Sequence, residues 1–300
     1  MSPRVARTSA HTDGRGRWRR ALARGAEWRY LALFVAGMLV PSAIAMAPIH
    51  GFFRSLFDQS TRSEELVSRL DSPAFVEVVR QLGEPAGAGI GASVFGVLLV
   101  TALVAPMLAG AAVALARRSA PVDFRSLLGD AAELYPRMLR MAVASVVPLG
   151  VAAGGAAAAF HFSDKLGERA VLESSASRAT ELATVASIFL FWLANATIEA
   201  GRAHFAAAED QRSALRAWWS GVKLTLRHPR QVLGLCFVTT VLGVGIAAVV
   251  TGLRLRIGQW GTGSILFAFV LAQLAVAALG WGRASRLVGL AELIRAENKS

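Results

Sequence analysis

Apolar residues are not spread evenly along this chain. They gather into stretches of roughly 20, the length a helix needs to cross a hydrocarbon core of about 30 Å. Six such stretches can be marked: about Leu31 to Pro48, Ala88 to Ala116, Leu139 to Phe162, Ala179 to Ile198, Val232 to Thr251 and Thr262 to Trp281. Between them the pattern changes. Phe124, Leu127, Leu128, Ala131, Leu134, Tyr135 and Met138 recur at helical spacing, with Asp123, Asp130, Glu133 and Arg137 elsewhere on the wheel. This spacing predicts an amphipathic helix lying on a membrane surface. Leu215, Trp218, Val222 and Leu226 predict a second, and Leu287, Leu290, Ala291 and Ile294 a third. Ser72-Pro73 opens a short helix in the loop after the first span, with Glu77 near its first turn and Phe75, Val79 and Leu82 as its apolar stripe.

The expected fold class is all-α: a polytopic membrane helix bundle of six transmembrane helices, with amphipathic helices at the cytoplasmic surface. A basic tail, 1–29, is expected to begin without order. The membrane domain covers 30–282, and an amphipathic cytoplasmic tail covers 283–300. Composition agrees with this picture. Of the 300 residues 54% are hydrophobic and 17% charged, whereas a soluble domain carries about 25% charged residues. The single cysteine, Cys236, lies in an apolar run, which excludes an intramolecular disulfide and a Cys-based zinc site and reads as a small core residue.

The net charge of +12 is mostly arginine, and the arginines flank the apolar runs. Topology accounts for them more simply than nucleic acid does, since no aromatic interleaving accompanies the basic tail. With the N-terminus inside, the outer segments hold Arg54, Arg62, Arg69, Arg80, Lys165, Arg169, Arg178, Arg254 and Arg256, and the rest of the 32 Lys and Arg lie inside. The positive-inside rule therefore places both termini in the cytoplasm of a bacterial-type inner membrane, with Arg254 and Arg256 the pair that resists it. A rival reading makes Leu31 to Val40 the core of a signal peptide cleaved near Ala45-Met46-Ala47. The long basic lead and Pro48 disfavour cleavage there.

One pattern recurs three times along the chain. A lead-in ends at an aromatic or proline beside arginine: Trp28-Arg29-Tyr30, Tyr135-Pro136-Arg137, His228-Pro229-Arg230. A hairpin follows and returns to small residues and arginine: Ala109-Gly110-Ala111 before Arg117, Ala200-Gly201-Arg202, Gly280-Trp281-Gly282-Arg283. Either three degenerate hairpin repeats or the ordinary needs of any membrane hairpin would produce this pattern. The stretch from Ala200-Gly201-Arg202 to Asp210-Gln211-Arg212-Ser213, with Arg227-His228-Pro229-Arg230, resembles a loose group of uncharacterised bacterial six-span proteins. That group is related to the membrane domain accompanying some glycerophosphodiester phosphodiesterases. The resemblance implies a six-span fold and no settled activity, and the soluble phosphodiesterase barrel has no counterpart here.

Candidate chemistry is sparse. Asn195, Glu199 and Arg202 share one face of the fourth span, where Glu199 can pair with Arg202. They form either a polar groove for a headgroup or ion, or a salt bridge at the inner boundary with an interhelical hydrogen bond from Asn195. Gln273, mid-way in the sixth span, suits an interhelical hydrogen bond or a pathway lining. His11, His50, His161, His204 and His228 lack ligand spacing, so no metal is expected, and His161 with Asp164 reads as interfacial. Gly83, Gly87 and Gly91, and Gly150 with Gly154, suit close packing within the chain, or less readily a dimer face. Pro41, Pro106 and Pro148 fall inside spans, where each removes a backbone donor. No phosphate loop, dinucleotide fingerprint, nucleophile elbow or zincin motif is present.

No catalytic residue, cofactor or nucleic-acid partner is therefore expected. The reading is a non-enzymatic structural or accessory component in contact with anionic lipids or another membrane protein. A small-solute or lipid transporter is the alternative.

Overall fold

A computed structural model of the chain describes residues 16, 18–58, 86–118, 123–168, 173–208, 213–257 and 261–298. These are almost wholly helical, with no strand among them. A short helix, α1, covers 18–25. It is followed by α2 (Trp28–Asp58), α3 (Ala86–Arg117), α4 (Phe124–Ala144), α5 (Val146–Glu168), α6 (Glu173–Ala207), α7 (Ala214–Arg227), α8 (Pro229–Leu255) and α9 (Thr262–Glu297). Among the described residues six helical stretches are long and apolar enough to cross a membrane, as expected for an integral membrane protein.

The chain divides into two compact units. The first holds residues up to Phe34 and from Pro106 onward; the second is Val35–Ala105. In the second unit α2 and α3 meet where Gly96 faces the Ile44 side chain. The remainder of this section concerns the first unit.

The elements repeat in order as short lead-in, outgoing helix and return helix. The return helices end at Arg117, Ala207 and Glu297, equally spaced along the chain. The lead-ins α4 and α7 begin at Phe124 and Ala214, at that same interval. Ser213 caps α7 by accepting from the Arg216 amide at 3.4 Å, and Asp123 takes the N-cap position of α4 in extended conformation. The return helices α3, α6 and α9 hold 32, 35 and 36 residues. At 1.5 Å per residue each is about 50 Å long, well over the roughly 30 Å of hydrocarbon. Their final turns are the most buried part of the unit: Leu108 to Ala116, Ile198 to Ala206, and Ala284 to Ile294 form its core. The outgoing helices and the earlier parts of α6 and α9 expose Phe, Leu and Val broadly, as lipid-facing helices must.

Each lead-in lies across the end of a return helix, and small residues permit it. On α7, a Cβ at Gly221 would stand 2.8 Å from Thr197 O and 2.9 Å from the Ala200 carbonyl carbon of α6. On α3, a Cβ at Gly110 would stand 2.9 Å from Ala131 O of α4. The helix α1 lies on α9, where a Cβ at Gly25 would run into Ser285 and Trp281 Nε1 donates to Leu22 O at 2.9 Å. The first lead-in thus docks on the last return helix.

Several expectations need correction. Residues 18–25 of the basic tail form a docked helix that the sequence reading did not mark, in which Ala21 is buried. Tyr135-Pro136-Arg137 is not a junction. Helix α4 runs through it to Ala144, with Ala132 and Pro136 both on the exposed side, so the lost backbone bond costs little. The α4 stripe Leu127, Ala131, Leu134, Met138 and Met141 is buried against the protein, while Phe124 and Leu128 stay exposed. Leu287, Leu290, Ala291 and Ile294 do not form a separate surface helix. They continue α9 unbroken and sit in the core. Gly150 and Gly154 face nothing within 4 Å, so they do not pack within the chain. Pro148 falls in the first turn of α5, where no helical bond is lost. Ser72-Pro73 and Gly83 lie outside the described residues.

Arginines tie the return helices together at their C-terminal ends, where backbone carbonyls lack helical partners and positive charge is favoured. Arg117 donates to Phe205 O through Nε at 3.0 Å and Nη2 at 2.8 Å. Arg295 Nη2 donates to Ala116 O at 2.8 Å and Ala206 O at 3.0 Å, bridging α3 and α6. Arg295→Met is expected to destabilise the protein by about 2 kcal/mol or more, since bonds from a charged donor are worth roughly 1.5–3 kcal/mol. Arg227→Met, which loses only an exposed 3.6 Å pair with Glu297, should cost under about 1 kcal/mol. Equal thermal midpoints for the two variants in detergent would contradict this assignment.

Candidate functional site

The last turns of α6 and α9 carry the main polar cluster of the unit. Helical spacing places Glu199 and Arg202 on one face of α6, and Arg202 Nη1 donates to Glu199 Oε1 at 2.6 Å. From α9, Arg283 brings its Nε to 3.7 Å from the same oxygen. Arg286, one turn further on, is within electrostatic reach of Glu199 and donates through Nε to Thr239 Oγ1 of α8 at 3.3 Å. Tyr30, at the start of α2, is fully buried beside Arg283 and Glu199. Its ring packs on Phe34 at 6.0 Å between centroids, and Phe34 fills the space that a side chain at Gly280 would take. Four helices therefore contribute to one site.

Burial is nearly complete for the acid and partial for the bases. Glu199 keeps 3% of its side-chain exposure, Arg202 14% and Arg283 21%. The lead-in helices supply this cover, since α7 crosses α6 at Thr197 to Gly201, level with Glu199, and α1 crosses α9 at Ser285, level with Arg283. Among the described residues, Tyr30 Oη, Arg202 Nε, Arg283 Nε and Glu199 Oε2 of this cluster are buried with no hydrogen-bond partner, as are Ser285 Oγ at the Gly25 contact and Glu292 Oε2 further along α9. Buried polar groups are normally paired, so such a cluster needs a physical account.

No family model, curated protein or solved structure matches the chain.

Of the residues singled out in the sequence, the fold joins Glu199 and Arg202 directly. Asn195 stands one turn before Glu199, half-buried, and makes no side-chain hydrogen bond among the described residues, so the expected interhelical bond is absent there. Gln273 is likewise half-buried and unbonded among them, and ten residues separate it from Arg283, about 15 Å along the helix. Arg283, Arg286, Tyr30 and Ser285 were not among the candidates. Trp281-Gly282-Arg283 carried the available signal, but it read as a membrane anchor. His161 and Asp164 are exposed, and no group of three metal-binding side chains occurs among the described residues. Cys236 is buried.

Proposed function

We propose that this chain is a non-enzymatic structural component of a bacterial inner membrane, with both termini in the cytoplasm, that organises anionic lipid at the inner leaflet through its lead-in helices. The observation that carries the reading is the two-sided character of α7. One side, Ala214, Ala217, Gly221 and Leu224, is buried against the protein. The other presents Leu215, Trp219 and Leu226 outward, with Arg216 and Lys223 exposed among them. Trp218, expected in the outward stripe, instead turns toward α6 and donates through Nε1 to Thr197 Oγ1 at 3.4 Å. An apolar stripe edged with cations suits the headgroup boundary of an anionic leaflet, where each basic residue contributes about 1 kcal/mol. On α4 the exposed Phe124, Leu128 and Arg125 repeat the same chemistry.

The test is native mass spectrometry after extraction of the protein with its surrounding membrane into polymer nanodiscs. Anionic lipid should be enriched over the bulk membrane, and the enrichment should fall when Leu215, Trp219 and Leu226 are all changed to Ser. Bulk lipid composition in both samples would refute the reading. A protein partner at fixed stoichiometry, lost in that variant, would instead make the chain an accessory subunit. Transport of a small solute or lipid is the second reading, favoured by Asn195 and Gln273 standing unbonded within spans. It requires flux that Asn195→Ala or Gln273→Ala abolishes without affecting insertion.

A further inference from the structure

The cluster around Glu199 is unbalanced in charge. Arg202, Arg283 and Arg286 all act on the one carboxylate of Glu199, and no other acid acts on Arg202 at short range among the described residues. Glu292 lies nine residues beyond Arg283, about 13 Å along α9. Glu297 is taken by Arg227 and His228, and Asp130 by Arg118. Uncompensated guanidinium charge inside a protein is costly and persists where a counter-charge completes it. Three of the unpaired atoms around the carboxylate, Arg202 Nε, Arg283 Nε and Tyr30 Oη, are donors, against one acceptor, Glu199 Oε2. Arg202 and Arg283 each keep a partly exposed edge, which leaves the group reachable.

We infer that this cluster is a binding site for an oxyanion with the chemistry of a phosphate. Such a group accepts charge-assisted bonds from several guanidinium N–H groups at once and leaves room for a hydroxyl donor. Arg202 and Arg283 hold it from two helices, Tyr30 adds a neutral donor from a third, and Glu199 keeps both guanidiniums oriented. This site is internal and separate from the outward stripe of α7, so it stands or falls independently of the lipid-organising role. The phosphate could belong to a lipid headgroup or to a free ion, and the two sources are distinguishable.

The experiment follows thermal unfolding of the purified full-length protein. It is run in uncharged detergent with sodium chloride or inorganic phosphate at equal ionic strength, and in nanodiscs of phosphatidylcholine with or without phosphatidylglycerol. A ligand that binds only the folded state raises the midpoint. A rise with inorganic phosphate identifies a free ion; a rise with phosphatidylglycerol alone identifies a headgroup. With inorganic phosphate the rise should vanish in Arg283→Gln and weaken clearly in Tyr30→Phe, while the triple Ser variant of α7 keeps it; with phosphatidylglycerol the rise that remains in the triple Ser variant should respond to Arg283→Gln and Tyr30→Phe in the same way. If Arg283→Gln does not fold, Tyr30→Phe decides, because it removes one donor atom and leaves the ring packing in place. No rise under either condition, or a rise undiminished in Tyr30→Phe and in whichever other site variant folds, overturns the proposal.

Discussion

Glu199→Gln is expected to be the most damaging single substitution in the chain that leaves side-chain volume unchanged. Glu199 is 2% exposed and stands between guanidinium groups from two helices. Removing its charge leaves Arg202, Arg283 and Arg286 facing one another in a region that water reaches poorly. Breaking a buried ion pair by removing one partner costs about 3–5 kcal/mol, most of it the desolvation of the charge left behind. The thermal midpoint in detergent should fall accordingly. Adding Arg202→Met to Glu199→Gln should recover part of the loss, because the second change removes one of the stranded charges. A Glu199→Gln variant as stable as the parent would mean that the cluster is solvated and contributes nothing to the fold.

Gly221→Val is expected to detach a lead-in helix. The added atoms would meet backbone of α6, at Thr197 O and the Ala200 carbonyl carbon, where no side chain can rotate out of the way. Overpacking of this kind costs about 1–3 kcal/mol and more when backbone must shift. The crossing carries the Trp218 bond to Thr197, so detachment should also alter tryptophan fluorescence before global unfolding. Gly150→Val and Gly154→Val are the matched controls, since nothing lies within 4 Å of a Cβ at either site, and neither should lower the midpoint. Equal losses at Gly221 and Gly150 would show that close approach to α6 does not govern these positions.

The six apolar helices were legible because crossing a bilayer is a constraint on length and composition along one dimension. The Glu199–Arg202 pair was legible for a similar reason, since both residues lie within one turn of one helix. Arg283, Arg286 and Tyr30 were not. Each reads locally as an anchor beside a span, and only the packing of distant helices turns them toward Glu199. Trp218 and Trp219 show a related limit. Helix α7 has apolar residues on two faces, and the wheel alone does not say which tryptophan meets the protein. Helix α1 escaped notice because it docks through Ala21 and Gly25, whose small size permits contact without a hydrophobic signal. In α9, Gly280 and Gly282 read as the end of a helix, yet they are contact points inside one: a Cβ at Gly282 would stand 2.8 Å from Thr239 O, and Gly280 faces Phe34.

The docking of α1 on α9 also has a consequence for biogenesis. Leu22 leaves the ribosome early, but its partner Trp281 follows 259 residues later. At roughly 5–20 residues per second that delay is on the order of tens of seconds. During that time α1 has no final surface to rest on, while each intervening hairpin can insert and pair locally. Closure therefore waits for α9: a product truncated before α9 would insert its earlier hairpins yet leave α1 undocked and open to proteolysis.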